Sequence, residues 1–392
     1  QDPVGDGDDA TADGLFVFNG SAPKPAVGDL LELTDTVSEF VPGGAATGNL
    51  STTQMSFPST TVLSSGNPLP TPVVIGTSGR VAPAVDVITD SERPVNLQDG
   101  IDEPADFNPD NDGIDFYESL EGMLVTVEDP VAVSGTRTFS SFSSEFFTLT
   151  NNGAEIAPPG ARTARGGINL QPDPDNDGDQ NPERVQIQLD GTLFPFPVPA
   201  VTVGDRLGDI TGVVGYSFGN FEVNALSEFS VNPGGADVET TSLVGTRDAL
   251  SVGAYNVLNL SPLPEDDAQR ATLAGHIADH LGAPDGVALQ EIQDNSGEAD
   301  DGVTDASDTL QALVDAIEAA GGPSYEFFDV APGDNTSGGV PGGNIRNAFL
   351  YDPQRVDLLD YVSLTPDVLD DLGVGDTDAF EGTRDPLLAT FR

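Results

Sequence analysis

The clearest pattern of apolar and polar positions in this chain lies between residues 250 and 292. Two short apolar runs each lead to a polar residue, the first to Asn256 and the second to Glu291. The stretch 266–281 between them carries apolar side chains at helical spacing, namely Leu273, Ile277 and Leu281. This pattern predicts a strand, a helix and a second strand, with the two strands parallel and adjacent in a buried sheet. Asn256 and Glu291 should then lie at the carboxyl ends of neighbouring strands, where open α/β sheets bind ligands.

The residues of this crossover point to a known family. They read YNVLNL at 255–260 and VALQEI at 287–292, and Arg270 opens the helix between them. Weaker matches follow at 344–352, NIRNAFLYD, and at 383–391, TRDPLLATF. Together these motifs resemble the endonuclease/exonuclease/phosphatase superfamily, and within it the secreted nucleases of prokaryotes.

The resemblance implies a fold and a set of roles. The fold would be an α/β two-sheet sandwich. Asn256 would help to hold the scissile phosphate and the attacking water, Glu291 would bind Mg²⁺ or Mn²⁺, and Arg384 would lie near the substrate. The substrate would be nucleic acid or another phosphodiester. Carboxylate and amide oxygens suit such hard ions, which keep several waters.

The same resemblance raises an expectation about what should follow Arg384. The family's catalytic His, a Gly-Asp-x-Asn motif and a Ser-Asp-His motif would come next, and the sequence ends at Arg392 before any of them. We therefore expect this chain to contain the N-terminal half of the sandwich and to be inactive as a nuclease. Half a sandwich would leave an apolar sheet face in water. That exposure costs about 25 cal/mol per Å² of apolar surface. We expect a further C-terminal segment or a partner chain to cover that face.

Residues 14–240 show a different pattern, with short period-two runs separated by Gly and Pro. The run beginning Val-Gly-Asp at 27 is echoed at 203, which indicates either a repeat or two ordinary strand entries. Short, regularly spaced strands predict a small closed barrel. The segments GDLLELT at 28–34 and LEGMLV at 120–125 resemble the OB-like modules that precede the catalytic domain in the same nucleases.

The predicted organisation is therefore multidomain. A flexible acidic lead covers 1–13, a β-rich OB-like region covers 14–240, and a partial endonuclease/exonuclease/phosphatase-like domain covers 246–392. The OB-like region is either one barrel with a large insertion or two lobes that split near 95–113. Five aromatic residues could stack on nucleic-acid bases, although few basic residues lie near them and core packing is the favoured interpretation: Phe139, Phe142, Tyr216, Phe218 and Phe221.

The net charge alters the interpretation of this chain more than any motif does. The chain has 65 acidic and 14 basic residues, a net charge of -51 and a pI near 4.1, with 37% hydrophobic residues. Such a chain repels itself in dilute buffer, and molar salt, with a Debye length of about 3 Å, removes most of that cost. The composition indicates a halophilic, haloarchaeal protein rather than one with an added acidic tail. It argues against tight binding of nucleic acid, which requires cationic contacts.

Other features favour export to the extracellular space or the cell surface. The chain begins with Gln1 rather than Met, so we expect a leader or an upstream domain. Glycosylation sequons occur at Asn19, Asn49, Asn259 and Asn335. There is no cysteine, so no disulfide framework exists. No apolar run approaches the roughly 20 residues of a membrane span.

Two Asp-rich loops are candidate calcium sites. Oxygen ligands alternate around a Gly in each loop, as they do in calcium-binding loops. The candidate ligands are Asn108, Asp110, Asp112, Asp115 and Glu118 in the first loop and Asp173, Asp175, Asp177 and Asp179 in the second, with Asn181 and Glu183 beyond. Ser119 and Arg184 stand where an EF-hand has its twelfth-position Glu, so neither loop is an EF-hand. A chance cluster in an acidic chain is the alternative for each loop.

A third metal hypothesis is weaker. His276 and His280 are four residues apart on the predicted helix, a spacing that superficially resembles a zinc peptidase. This helix is the connector between the two strands, so we do not favour a zinc site.

Two functions remain. The preferred one is an extracellular metal-dependent phosphodiesterase or nuclease-like protein of a halophile. The alternative is a noncatalytic extracellular structural or adhesive protein that is stabilised by calcium.

Overall fold

The computed structural model divides the chain into two compact units, Gln1–Ala236 (unit 1) and Asp237–Arg392 (unit 2). The described chain is built mainly of β-strands, with few helices, and most of its helical residues lie in unit 2. In the sequence the corresponding change of pattern falls between 240 and 246. The structure describes residues 1–87, 107–140, 142–154, 160–172, 178–338, 340, 342–380 and 383–392.

Unit 1 begins with two small sheets. One has the strand order β1-β4-β3, and the other is the hairpin β2–β5. Their strands are β1 (Phe16–Phe18), β2 (Leu30–Thr34), β3 (Val37–Phe40), β4 (Thr52–Ser56) and β5 (Ser59–Ser64).

The rest of unit 1 is one large mixed sheet with a short helix, α1 (Gly113–Glu118). Its strands are β6 (Val73–Ile75), β7 (Leu124–Val127), β8 (Val131–Ala132), β9 (Arg137–Ser140), β10 (Ser143–Leu149), β11 (Val185–Asp190), β12 (Arg206–Leu207), β13 (Ile210–Ser217), β14 (Asn220–Ala225) and β15 (Val231–Asn232). Their order is β15-β12-β8-β10-β11-β14-β13-β7-β6, with β9 paired to β10.

This sheet differs from the small closed barrel that the sequence predicts. Within the described residues its row of strands is open, with β6 at one end and β15 at the other. The pairs β6–β7 and β11–β14 are parallel, and parallel neighbours need long connections rather than tight turns. Turn spacing alone could not reveal these pairs. Most of the segment 95–113, where the sequence allows a split into lobes, lies outside the described residues, as do 88–94.

The structure explains the echo between residues 27 and 203. In each copy a glycine with positive φ, Gly28 at 87° and Gly204 at 89°, precedes an aspartate. Asp29 accepts a hydrogen bond from the amide of Ala26 at 2.8 Å, and Asp205 accepts one from Thr202 at 2.8 Å. The first copy leads into the small hairpin and the second into the large sheet. The sequence similarity therefore reflects the same type of turn at two positions, not a repeated domain.

Unit 2 is organised around a four-stranded sheet with the order β16-β17-β19-β18. Its elements are β16 (Val252–Leu260), α2 (Asp267–Gly275) continued by a π-helical turn (His276–His280), β17 (Gly286–Ile292), α3 (Ser307–Ala319), β18 (Glu326–Asp329), β19 (Arg346–Tyr351), β20 (Leu358–Ser363), α4 (Pro366–Asp371) and β21 (Leu387–Phe391). Strands β16 and β17 are parallel, which confirms the predicted crossover.

The two faces of this sheet are covered differently. On one face α2 and α3 bury an apolar cluster that includes Leu289, Leu310 and Ile317. On the other, Phe328 and Tyr351 pack against residues of the β20–β21 hairpin. The hairpin thus covers part of the second face. No helix in the described part of the chain is long and apolar enough to cross a membrane.

Candidate functional site

Glu291 lies at an irregularity in β17. The pairing of β17 with β19 shifts register between Leu289 and Ile292, and Glu291 has φ of 66°. A non-glycine residue in this region is strained by about 1–3 kcal/mol, and such strain and bulges concentrate beside functional sites. The Glu291 side chain is 18% exposed, and its Oε1 lies 3.7 Å from Nη2 of Arg384. The structure therefore brings together two of the residues that the family resemblance singles out.

Asn256 lies on the neighbouring strand at the same level. It is paired in register with Gln290, the residue before Glu291. Beyond it β16 is also irregular, because Leu258 and Asn259 have φ of 53° and 54°. The Asn256 side chain is exposed, and its Oδ1 accepts a hydrogen bond from the amide of Leu258 at 2.9 Å. Both predicted site residues thus stand where adjacent strands lose their regular pairing.

A polar cleft of about 340 Å³ adjoins Arg384. Its lining includes Arg384, Asn347, Ser337 and Thr383. Two buried groups in it, Nε of Arg384 and Oγ of Ser337, have no hydrogen-bond partner among the described residues. Guanidinium, amide and hydroxyl donors around a small cleft suit a phosphate or another oxyanion.

The cleft also includes a buried arginine, Arg346, whose role sequence reasoning missed. Its side chain is 3% exposed and pairs with Asp329 at 3.0 Å. It also donates to the carbonyl oxygens of Asn344 and Thr304. Asn344 in turn donates to Asp294 Oδ2 at 2.9 Å. These bonds tie β19 to the loop after β17, so Arg346 supports the site rather than offering a free charge to a ligand.

The first acidic loop lies at the start of α1. Asp112 and Asp115 are buried, Asn108 and Glu118 are half-buried, and Asp110 is exposed. Asp115 accepts a hydrogen bond from the amide of Asn108 at 2.6 Å.

The second acidic loop is only partly within the described residues. Asp173, Asp175 and Asp177 lie outside them, whereas Asp179 is described and 1% exposed. Among the described residues, no group of three or more His, Cys, Asp or Glu side chains is placed to hold a metal ion.

The two histidines each have a hydroxyl partner at Nδ1. The Tyr255 hydroxyl lies 2.6 Å from Nδ1 of His276, and Thr240 Oγ1 lies 3.1 Å from Nδ1 of His280. Their rings meet edge to face at 5.6 Å. Each histidine is therefore engaged by a neighbouring hydroxyl through Nδ1.

The candidate stacking aromatics of unit 1 fall into two groups. Tyr216 and Phe221 pack edge to face at 5.1 Å, as expected for core and hairpin packing. Phe139, Phe142 and Phe218 are 53%, 66% and 97% exposed. Arg137 lies over the ring of Phe139 at 4.7 Å.

A cavity of about 780 Å³ in unit 1 is lined mainly by apolar side chains. Glu121 and Glu222 also line it. Burial raises the pKa of Glu121 above its ordinary range. Burial, together with the nearby Glu145 and Asp190, raises the pKa of Glu222 to about 7, although a hydrogen bond from Asn224 opposes the rise. Glu222 therefore holds its proton to a higher pH when the chain is folded than when it is unfolded.

This shift predicts a pH-dependent stability. A raised carboxyl pKa contributes stability that is complete below the unfolded pKa of 4.5 and is lost as pH rises to about 7. Glu222→Gln should match wild type at pH 4 and exceed its free energy of unfolding by about 1–2 kcal/mol at pH 8, allowing for partial exposure. Thermal melts of both proteins at the two pH values test this. Equal melting temperatures at pH 8 would contradict it.

Comparison with known families adds one match. A family described as a domain of unknown function (DUF8508) matches residues 74–233, from within β6 to the end of β15. The match covers less than half of the chain and lies wholly in unit 1. No curated protein matches the chain.

Proposed function

We propose that unit 2 is a metal-dependent phosphodiesterase-type module of an exported halophilic protein. The observation that carries the proposal is the pairing of Glu291 with Arg384 at the irregular end of β17, beside a polar cleft of about 340 Å³. An anionic metal ligand and a cationic phosphate ligand next to each other are what a phosphodiester site requires.

The residues present fit a divalent ion of the Mg²⁺ or Mn²⁺ type. Such ions bind through one or two carboxylates and keep several waters, and Glu291 offers one partly exposed carboxylate. When bound, the ion would polarise a phosphoryl oxygen. Glu291 would hold it, while Asn256 and Arg384 would orient the phosphate.

The charge of the chain sets the conditions under which a substrate can approach. A net charge of -51 repels a nucleic acid in dilute buffer. In molar salt, where the Debye length is about 3 Å, only contacts at short range remain, and Arg384 provides one. The substrate would therefore be recognised locally rather than drawn in by long-range attraction.

Manganese binding tests the metal role directly. In molar potassium chloride, Glu291→Gln should weaken Mn²⁺ binding, followed by electron paramagnetic resonance, by roughly tenfold or more, because a ligand charge is lost. Glu318→Gln removes an equal charge from the exposed side of α3 and should change the affinity less than twofold. Equal Mn²⁺ affinity in wild type and Glu291→Gln would refute the role of Glu291.

Phosphodiester binding tests the other half of the site. Arg384→Gln should weaken the binding of a short oligonucleotide or of bis(p-nitrophenyl) phosphate and leave Mn²⁺ binding nearly intact. Any plasmid nicking with Mg²⁺ or Mn²⁺ in molar salt should disappear in Glu291→Gln. Undiminished nicking in that variant would assign the activity elsewhere.

The alternative, a noncatalytic extracellular structural or adhesive protein that uses calcium, draws support from unit 1. There several acidic side chains are buried, which a solvated acidic surface does not explain.

A further inference from the structure

A loop of unit 1 buries acidic and amide oxygens that no described group satisfies. Asp179, Asn181 and Glu183 alternate along it and are 1%, 8% and 0% exposed. Both oxygens of Glu183, Oδ2 of Asp179 and Oδ1 of Asn181 have no hydrogen-bond partner among the described residues. Burying such groups without partners is strongly unfavourable, and a bound cation would offset that cost.

The loop is held so that these oxygens stay inside. Asp179 Oδ1 accepts hydrogen bonds from the amides of Gln171 at 3.0 Å and Asn181 at 3.3 Å, which leaves Oδ2 unused. The guanidinium of Arg184, next in the chain, lies over the ring of Phe147 at 4.2 Å.

The first acidic segment also lies close to this loop. A Cβ built on Gly113 would lie 2.5 Å from Cβ of Pro182, so the start of α1 packs directly against this loop. Acidic and amide side chains adjoin this contact. Asp112 precedes Gly113 in the chain, and Asn181 and Glu183 flank Pro182.

We propose that this loop forms a calcium site in unit 1, beside the start of α1, with Asp179, Asn181 and Glu183 as ligands. Calcium takes about six to eight oxygens from carboxylates, amides, main-chain carbonyls and water, in flexible geometry. Two carboxylates and one amide supply part of such a shell, and carbonyl and water oxygens complete it. Magnesium fits less well, because it demands near-octahedral geometry and keeps several waters, whereas these ligands are buried.

The ion would fasten the entry to β11 against the start of α1. Every residue involved belongs to unit 1, so a negative result for calcium would not bear on the phosphodiesterase site proposed in unit 2.

Thermal melting of the full chain tests the site. After removal of bound metal with a chelator, in molar potassium chloride, a hundredfold excess of Ca²⁺ over its Kd should raise Tm by roughly 5–10 °C. Mg²⁺ should raise it less. Glu183→Gln and Asp179→Asn should lose most of the calcium-dependent rise. Glu222→Gln, which changes a half-buried carboxylate elsewhere in unit 1, should keep it.

The controls separate a site from general screening of charge. An equal rise in wild type and in both ligand variants would overturn the proposal, as would no rise in wild type. If neither ligand variant folds, isothermal titration of wild-type protein with Ca²⁺ decides: one tight site supports the proposal, and its absence overturns it.

Discussion

Replacing Arg346 with methionine should lower the free energy of unfolding by about 3–5 kcal/mol. The substitution keeps much of the aliphatic volume and removes the charge and the donors. Asp329 is then left with a half-buried carboxylate whose partner at 3.0 Å is gone, and the carbonyl oxygens of Asn344 and Thr304 lose their donor. Breaking one side of a buried pair is costly because the remaining charge stays unpaired.

A surface ion pair in the same unit provides the matched control for Arg346. Arg392 lies 3.0 Å from Asp357, the same separation as in the buried pair, but these side chains are 75% and 64% exposed. Arg392→Met should therefore change stability by about 0–1 kcal/mol, and less in molar salt. Urea titrations of the three proteins give the comparison. Similar losses in both variants would show that burial does not set the energy of the Arg346 pair.

Parts of the fold follow directly from periodicity. The α3 stripe of Leu310, Leu313, Val314 and Ile317 is buried as its helical spacing predicts. The β16–α2–β17 crossover is also confirmed, because the two strands pair in parallel. The predicted burial of both strands is wrong for β16, whose alternate residues are exposed. These elements depend on local pattern and on neighbours in the chain.

The pairing order of the large sheet depends on contacts that a local pattern does not encode. Strands β8, β12 and β15 have two residues each, too few to show any period. The parallel pair of β11 with β14 skips the intervening strands β12 and β13. Strand positions could therefore be predicted, whereas the open row of strands could not.

The candidate sites could also be predicted only in part from the sequence. The proximity of Glu291 and Arg384 is not contained in any spacing and was expected only from the family resemblance. The buried role of Arg346 is hidden because a charged residue in an alternating run normally indicates a solvated face. Glu183 had a visible signal, since Asp179, Asn181 and Glu183 occupy alternate positions, but acidic residues are too common in this chain for spacing alone to be decisive.

The second large effect is expected at Ile277 in the connector helix. Ile277 is fully buried and belongs to the apolar cluster that packs α2 and α3 against β16 and β17. Ile277→Ala should cost about 2–5 kcal/mol through lost burial and the cavity that remains. Asp279→Ala, on the exposed side of the same π-helical turn, should change stability by less than about 0.5 kcal/mol.

Ile277→Ala also separates stability from function. It should lower the denaturation midpoint, while the folded fraction of the protein keeps the Mn²⁺ affinity of wild type. A loss below about 1 kcal/mol would mean that the cluster refills the cavity on relaxation. A large loss of Mn²⁺ affinity in the folded Ile277→Ala protein would mean that the register of Asn256 against Gln290, and not the carboxylate of Glu291 alone, sets the metal site.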